Sequence, residues 1–374
     1  MLRKKVCIAL LLLLILSLLI AGCSRDNNKG KPNDGGANVE EPKDAPKEEG
    51  PKEEPKEETI VWQAASGWVQ GDIMRDVFDI FIEVLEEKTQ GQLKVNVSGP
   101  ETFPSPDQIN LLRDGALDLV GTTPAFYLEN LPEGVLLAYT WGTREQRREA
   151  GLYDIVDQAH RERYNAMFVT EAPAGTMHIF MRNPIKNSSE LRGKRLRSPA
   201  AYMPALDALG ATSQFMSDAD TIDALQQGVI DGAISSVATY DSWNYYEVAP
   251  YTIYPSFAFV LSVIFANVDS VEALPEHLQK AFYDAIKEAE PKIEEYSVKE
   301  IKKFYDTLEE KGVKEIYFEG EDAQIYYDIF FDRYLEVAVR PNRGDEVANR
   351  IAEIHNKLDA PPEGRFIGPY NPAN

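Results

Sequence analysis

The spacing of apolar positions changes several times between residues 59 and 121. Thr59-Ile60-Val61-Trp62 is a short apolar run that predicts a strand, and Ala64-Ala65-Ser66-Gly67-Trp68 behind it predicts a loop. Ile73, Val77, Ile80, Phe81, Val84 and Leu85 then recur at helical spacing, and the pattern stops near Gln90-Gly91. Leu93, Val95 and Val97 alternate with polar residues as a strand does. Ser105-Pro106 is a helix start, an N-cap followed by proline in the first turn, with Ile109, Leu111 and Leu112 behind it. Gly115 ends that helix, and Leu117-Asp118-Leu119-Val120-Gly121 predicts a buried strand. Strand, helix, strand, helix, strand implies right-handed crossovers and a parallel sheet.

The same turn is written twice. Leu112-Arg113-Asp114-Gly115-Ala116-Leu117-Asp118 is echoed by Leu225-Gln226-Gln227-Gly228-Val229-Ile230-Asp231. In each, a helix ends at a glycine suited to a left-handed cap, and two apolar residues and an Asp lead into a strand. The echo is consistent with two similar α/β lobes, and equally with two unrelated helix-to-strand turns. After Pro275, Leu278, Phe282, Ile286, Ile293, Ile301, Phe304 and Leu308 keep a helical stripe that Pro291 interrupts and should kink. A helix of some 30 residues is about 45 Å long, enough to run along both lobes. Two further helices are predicted at 323–339 and 345–358, with an extended tail over 361–374.

Composition sets the compartment. The chain has 374 residues and a formal charge of −22, and its two cysteines, Cys7 and Cys23, both precede residue 24. A disulfide, a thiol nucleophile or a Cys-based zinc site is thereby excluded from the body. Arg3, Lys4 and Lys5 precede an apolar run from Ala9 to Ile20, the make-up of a signal segment and too short for an ordinary membrane span. It leads into Ile20-Ala21-Gly22-Cys23, which resembles the lipobox of bacterial lipoproteins and implies lipidation at Cys23 and an extracytoplasmic, membrane-anchored protein. Residues 24–58 hold no aromatic side chain and repeat Pro-Lys-Glu-Glu, which predicts a disordered charged tether. The remainder, 59–374, carries 29 basic and 50 acidic side chains, a net −21 that argues against nucleic-acid binding.

Catalytic signatures fail in turn. His160, His178, His277 and His355 have no metal-binding spacing, and no GxSxG, GxGxxG or GxxxxGK[ST] run occurs. Ser217-Asp218-Ala219-Asp220 begins like a calcium loop, but Ile222 and Asp223 stand where a ligand and the turn glycine belong. No catalytic residue, metal or cofactor is expected.

At Gly193-Lys194-Arg195-Leu196-Arg197-Ser198-Pro199, after Pro184-Ile185 and Glu190-Leu191-Arg192, the chain resembles the solute-binding subunits of tripartite ATP-independent periplasmic (TRAP) transporters. The likeness continues in Thr89-Gln90-Gly91-Gln92-Leu93, Pro124-Ala125-Phe126-Tyr127-Leu128, Gln226-Gln227-Gly228-Val229-Ile230-Asp231-Gly232 and Leu274-Pro275-Glu276-His277-Leu278, covering most of 59–320. It implies an α/β, two-lobed periplasmic-binding-protein-like fold with a hinge and a long lobe-spanning helix. The lobes would be 59–175 with about 262–300, and 176–261 with about 301–360. It implies a non-enzymatic monomer that takes a small organic acid by lobe closure and passes it to permease subunits in the membrane. Arg197, matched to the second arginine of the family run, would bridge the ligand carboxylate with its planar fork.

Three positions depart from the family pattern. Met177, with His178 beside it, stands where many members carry another carboxylate-binding arginine. Ile234, Ser235 and Ser236 replace a polar amide, and Asp218 stands where an aromatic is common. One cation fewer and one possible anion more favour a monocarboxylate, with a cationic or polyhydroxy remainder near Asp218, over a dicarboxylate. Other cleft candidates rest on position after a strand end: Trp68, Thr122, Thr123 and Tyr127, then Tyr240 and Trp243. Tyr245, Tyr246 and Tyr251 read as interlobe packing. The expected ligand-binding set is Arg197, Trp68, Thr123, Tyr127, Met177, His178, Asp218, Ser235 and Tyr240. The rival readings are a surface carbohydrate hydrolase using paired carboxylates and the binding subunit of an ATP-driven importer.

Overall fold

The computed structural model describes residues 59–358. The expected signal segment with Cys23, the tether over 24–58 and the tail over 361–374 lie outside the described residues. The opening pattern folds in the predicted order, except that Ala64, Ala65 and Ser66, expected in a loop, continue β1 because they pair with β2 and β3. β1 (Ile60–Ser66), α1 (Ile73–Lys88), β2 (Leu93–Ser98), α2 (Gln108–Arg113) and β3 (Leu119–Thr122) follow in order, and β1 lies between β2 and β3, parallel to both. Asp72 caps α1 by accepting the Met74 N–H at 2.8 Å, and Val77, Phe78, Phe81, Val84 and Leu85 form its buried face. Gly121 lets that helix approach the sheet: a Cβ there would sit 2.7 Å from the Phe78 ring.

A second group of strands follows. β4 (Ala166–Met181), β5 (Arg195–Arg197), β6 (Thr212–Gln214), α3 (Asp218–Gln227), β7 (Gly232–Ser236), β8 (Tyr251–Tyr254) and β9 (Ala258–Asn267) lead into α4 (Glu276–Glu310). Then come β10 (Lys314–Tyr317), α5 (Gly320–Tyr334) and α6 (Arg340–Lys357). β5 is parallel to β6 and β7, and all ten strands join in one sheet whose main order is β2-β1-β3-β9-β4-β7-β5-β6. β4 and β9 make this continuous. They are antiparallel and long, β9 pairing with β3 at one end and β4 with β7 at the other. Their register shifts twice, between Phe168 and Thr170 and between Pro173 and Gly175, as at β-bulges, which bend and twist a strand. The fold is α/β and two-lobed, with the β4–β9 pair crossing between the lobes.

The echo in the sequence is an echo in hydrogen bonding. The Asp118 N–H donates to the Gln63 carbonyl at 2.7 Å, and the Asp118 carboxylate accepts the Gln63 N–H at 2.7 Å. In the second lobe the Asp231 N–H donates to the Arg195 carbonyl at 2.7 Å, and its carboxylate accepts the Arg195 N–H at 2.8 Å. Each aspartate thus ties the strand it opens to the neighbouring parallel strand. Gly115 and Gly228, at φ +71° and +74°, supply the left-handed turn before it.

α4 joins the two cores. Leu278, Phe282, Ala285, Ala289 and Ile293 pack into the cluster that holds Trp62, Phe78 and Phe81. Ile301, Tyr305 and Leu308 belong to the cluster with Phe180, Leu225 and Tyr240. The helix runs through Pro291 as one element of 35 residues, about 52 Å long. Pro291 lies on the exposed face, so the carbonyl it leaves without an N–H partner is on the water side. α5 touches both halves: Asp322 accepts the Ser188 N–H at 3.0 Å, while the Tyr327 hydroxyl donates to the Tyr139 carbonyl at 2.9 Å. α6 returns to the first half of the chain, where Arg343 pairs with the buried Glu133.

Candidate ligand-binding site

Arg197 is the last residue of β5, at the C-terminal end of the second lobe's parallel strands, and only 7% of it is exposed. Its guanidinium is held from three directions. Nη1 donates to the Ile234 carbonyl at 2.8 Å, Nε donates to the Met216 carbonyl at 3.2 Å, and Nη2 lies 3.0 Å from Oδ1 of Asp218. Two of these partners are backbone atoms, one in β7 and one in the turn before α3, so the plane of the fork is fixed by the sheet. Burying a guanidinium is costly unless its donors are met, and here each nitrogen has a partner.

Asp218 opens α3, where the helix dipole favours an anion. Ser217 is the N-cap, accepting the Asp220 N–H at 3.2 Å. The Tyr245 hydroxyl lies 3.0 Å from Asp218 Oδ1 and 3.1 Å from the Asp218 carbonyl. Burial, followed by the neighbouring Asp218 charge, pushes the Tyr245 phenol well above its ordinary range, so it stays a donor. Tyr245 is therefore a positioning residue inside the second lobe, and the interlobe packing expected of it is not its role.

The other sequence candidates separate into two groups. Trp68 and Thr123 stand half-buried just beyond β1 and β3 in the first lobe. The Trp68 N–H donates to Ser66 Oγ at 3.2 Å, and its ring lies 5.9 Å from that of Phe126. Gly67 binds the strand end next to it, its N–H donating to the Gly121 carbonyl at 2.8 Å. Thr122 is fully buried, and its hydroxyl has no hydrogen-bond partner among the described residues.

Tyr127, Met177, His178 and Tyr240 are placed in the core. Tyr127 donates to His160 Nε2 at 3.1 Å and packs on Tyr164. Tyr240 stacks on Phe180 at 3.7 Å and donates to the Ala249 carbonyl at 2.9 Å. Met177 and His178 pair with Ser236 and Ser235 across β4 and β7, and both are buried, as is Ser235. His178 Nδ1 donates to the Ile253 carbonyl at 2.9 Å, so Nε2 is an acceptor, with the hydroxyls of Thr176 and Tyr305, themselves hydrogen-bonded to each other, 2.9 and 3.2 Å away. Desolvation lowers its pKa to about 4, which keeps it neutral near pH 7. A position after a strand end, as for Tyr127 and Tyr240, or a family position, as for Met177 and His178, does not say which way the side chain turns, and all four are buried.

Sequence reasoning missed Met216, which contributes only a backbone carbonyl, and Phe215. Phe215 is 69% exposed between β6 and the turn that holds Arg197. The signal was available: like Trp68, it is a large apolar residue outside any stripe.

Comparison with known proteins places this arrangement in a family. Residues 65–336 match the model of bacterial extracellular solute-binding protein family 7 (DctP), and the chain belongs to that family. A monocarboxylate 2-oxoacid-binding periplasmic protein of Nostoc sp. is 26% identical over 215 residues, 54% of this chain and 58% of that protein. The chain spans as little as 33% of the length of the curated relatives it matches. Solved structures agree on the fold. An open, ligand-free TRAP periplasmic solute-binding protein from Rhodobacter sphaeroides superposes with a TM-score of 0.71 at 18% identity, covering 80% of this chain and 99% of that one. One from Roseobacter denitrificans with bound β-D-glucuronate superposes with a TM-score of 0.62 at 20% identity, covering 78% of this chain and 98% of that one.

Proposed function

We propose that this chain is the solute-capturing subunit of a TRAP transporter and that it takes a small organic acid between its lobes. The observation that carries the reading is Arg197, a buried guanidinium locked by two backbone carbonyls at a strand's C-terminal end, where open α/β sheets bind ligands. A planar cation held in this way is suited to a carboxylate. The Nostoc relative is named for monocarboxylate 2-oxoacids and the Roseobacter neighbour holds a sugar acid, which supports a monocarboxylate here. In this reading Trp68, Thr123 and Phe215 cover the ligand and Ser235 helps to select it, with Asp218 3.0 Å from the Arg197 guanidinium. Closure brings the first lobe, 59–175 with about 262–300, against the second, 176–261 with about 301–360. The captured acid is delivered to membrane permease subunits without ATP. Lipidation at Cys23 holds the monomer at the extracytoplasmic face.

A thermal-shift panel of organic acids, sugars, polyols and amines, run on wild type and Arg197→Ala, tests the reading. A ligand at 100 times its dissociation constant stabilises by about 2.7 kcal/mol. Acids should shift the wild type and leave Arg197→Ala unmoved. Shifts by neutral sugars or amines alone, equal in both proteins, sink the carboxylate model.

A further inference from the structure

We propose that Asp218 is a displaceable internal counter-ion: it occupies the Arg197 fork in the ligand-free protein and leaves when a ligand carboxylate arrives. The inference rests on the reading that Arg197 takes that carboxylate. Only 9% of the Arg197 side chain is exposed and each of its nitrogens already has an acceptor, so an acid that grips the fork with both oxygens competes with one of the three groups around it. The Ile234 carbonyl belongs to β7, next to the strand that carries Arg197, and the Met216 carbonyl to the turn that leads into α3. Neither can leave without moving backbone. The Asp218 carboxylate is a side chain, 32% exposed, and can rotate into water.

The exchange leaves Arg197 Nη2 and the Tyr245 hydroxyl each with an acceptor. Arg197 Nη2 trades one carboxylate for another. The Tyr245 hydroxyl, 3.1 Å from the Asp218 carbonyl, keeps an acceptor when the side chain goes. The freed carboxylate remains at the first turn of α3, where the helix dipole favours its charge. Unliganded, the pair keeps a buried cation compensated, which an empty fork would not. Liganded, Asp218 is left beside the bound acid. It repels a second negative charge and attracts a hydroxyl or ammonium on the ligand body. The same residue therefore sets a threshold for weak anions and selects the remainder of the ligand.

Calorimetric titration of the full chain with acetate and with D-glucuronate tests this, using wild type, Asp218→Asn, Tyr245→Phe and Arg197→Ala. Asp218→Asn keeps the shape and removes the competing charge, so it should bind both acids about tenfold tighter than wild type. Tyr245→Phe removes one bond that holds Asp218 in place, and it should move affinity in the same direction by a smaller factor. Arg197→Ala should bind neither acid. If Asp218→Asn binds acetate no better than wild type, or not at all, the exchange is wrong and Asp218 is a fixed part of the site. If Arg197→Ala keeps the binding of wild type, the carboxylate reading itself fails, whatever Asp218 does. A misfolded Asp218→Asn, seen as a lost cooperative melt, leaves the decision to Tyr245→Phe, where unchanged affinity overturns the proposal.

Discussion

Arg197 shows why an arginine here cannot be exchanged for another cation. Its three nitrogens meet three acceptors in one plane, and a lysine ammonium reaching the same place could not satisfy Met216, Ile234 and a carboxylate together. Arg197→Lys should therefore bind the panel acid at least about a hundredfold more weakly than wild type by calorimetry, with the fold intact by circular dichroism. The buried histidines give a second prediction at this scale. His160 and His178 are each held neutral by desolvation, with pKa values lowered to about 4 from an ordinary 6.5. Between those values the unfolded chain binds protons that the folded chain does not, so the contribution to stability rises with pH across the window. It is complete above about 6.5 and is lost as pH falls towards 4, by as much as about 1.4 kcal/mol per pH unit for each histidine. Denaturant midpoints from pH 7.5 down to 4.5 should fall accordingly, and a flat profile would contradict the burial described. Of the fork's partners, Asp218 was legible as a cleft candidate, but the two carbonyls and the burial of these histidines were not. Arg197 was legible through a family resemblance, but the carbonyls of Met216 and Ile234 have no side-chain signature, and Met177 and His178 entered the expected site only because they stand where the family often carries an arginine.

Elements were far more legible than side-chain directions, because period and caps are local while orientation depends on what packs opposite. The repeated Gly-apolar-apolar-Asp turn is the clearest case: both copies give the same reciprocal pair of bonds between an aspartate and the adjacent strand. The second copy ends at Gly232, where β7 lies so close to its neighbours that a Cβ would be 2.5 Å from the Phe180 carbonyl and 3.1 Å from a Leu196 methyl. The Phe180 contact is backbone and cannot rotate away. Gly232→Ala should cost about 1–3 kcal/mol of stability and loosen Arg197 with it, because Leu196 is its neighbour on β5. Chemical denaturation and acid affinity, measured together, should fall in parallel. α4 holds the opposite kind of imperfection. Ser297 is fully buried between the two core clusters that the helix joins, and its hydroxyl has no hydrogen-bond partner among the described residues. Ser297→Ala should be neutral or stabilise by about 1 kcal/mol, since it removes a desolvated hydroxyl at almost no loss of packing. A destabilisation above 1 kcal/mol would mean the hydroxyl is satisfied by water.

At the scale of the whole molecule, the lobes are joined by two helices, α4 and α5, and by the β4–β9 strand pair. α4 is a single helix whose two ends sit in different cores, with Phe282 wedged between Trp62 and Phe81 and Tyr305 beside His178. α5 adds a second brace through Ser188 and Tyr139. The β4–β9 pair is the softer joint, since its register breaks at Phe168/Thr170 and again at Pro173/Gly175. Gly175 has φ +148°, and a Cβ on it would stand 3.4 Å from a Val237 methyl in the second lobe. A ligand shifts such a molecule towards the closed form only by the difference in its affinity for the two forms. Compaction and carboxylate capture must therefore fail together. Small-angle scattering should show the radius of gyration of wild type falling when the acid chosen by the panel is added, and Arg197→Ala should show no change at the same concentration. Gly175→Ala leaves every site side chain in place but strains the joint, at a cost of about 1–3 kcal/mol. It should lower the melting temperature and weaken the acid-induced compaction, while the carboxylate preference across the panel keeps its order. A Gly175→Ala protein that closes and binds as wild type does would move the hinge away from the second bulge and leave the first, at Phe168/Thr170, to provide it.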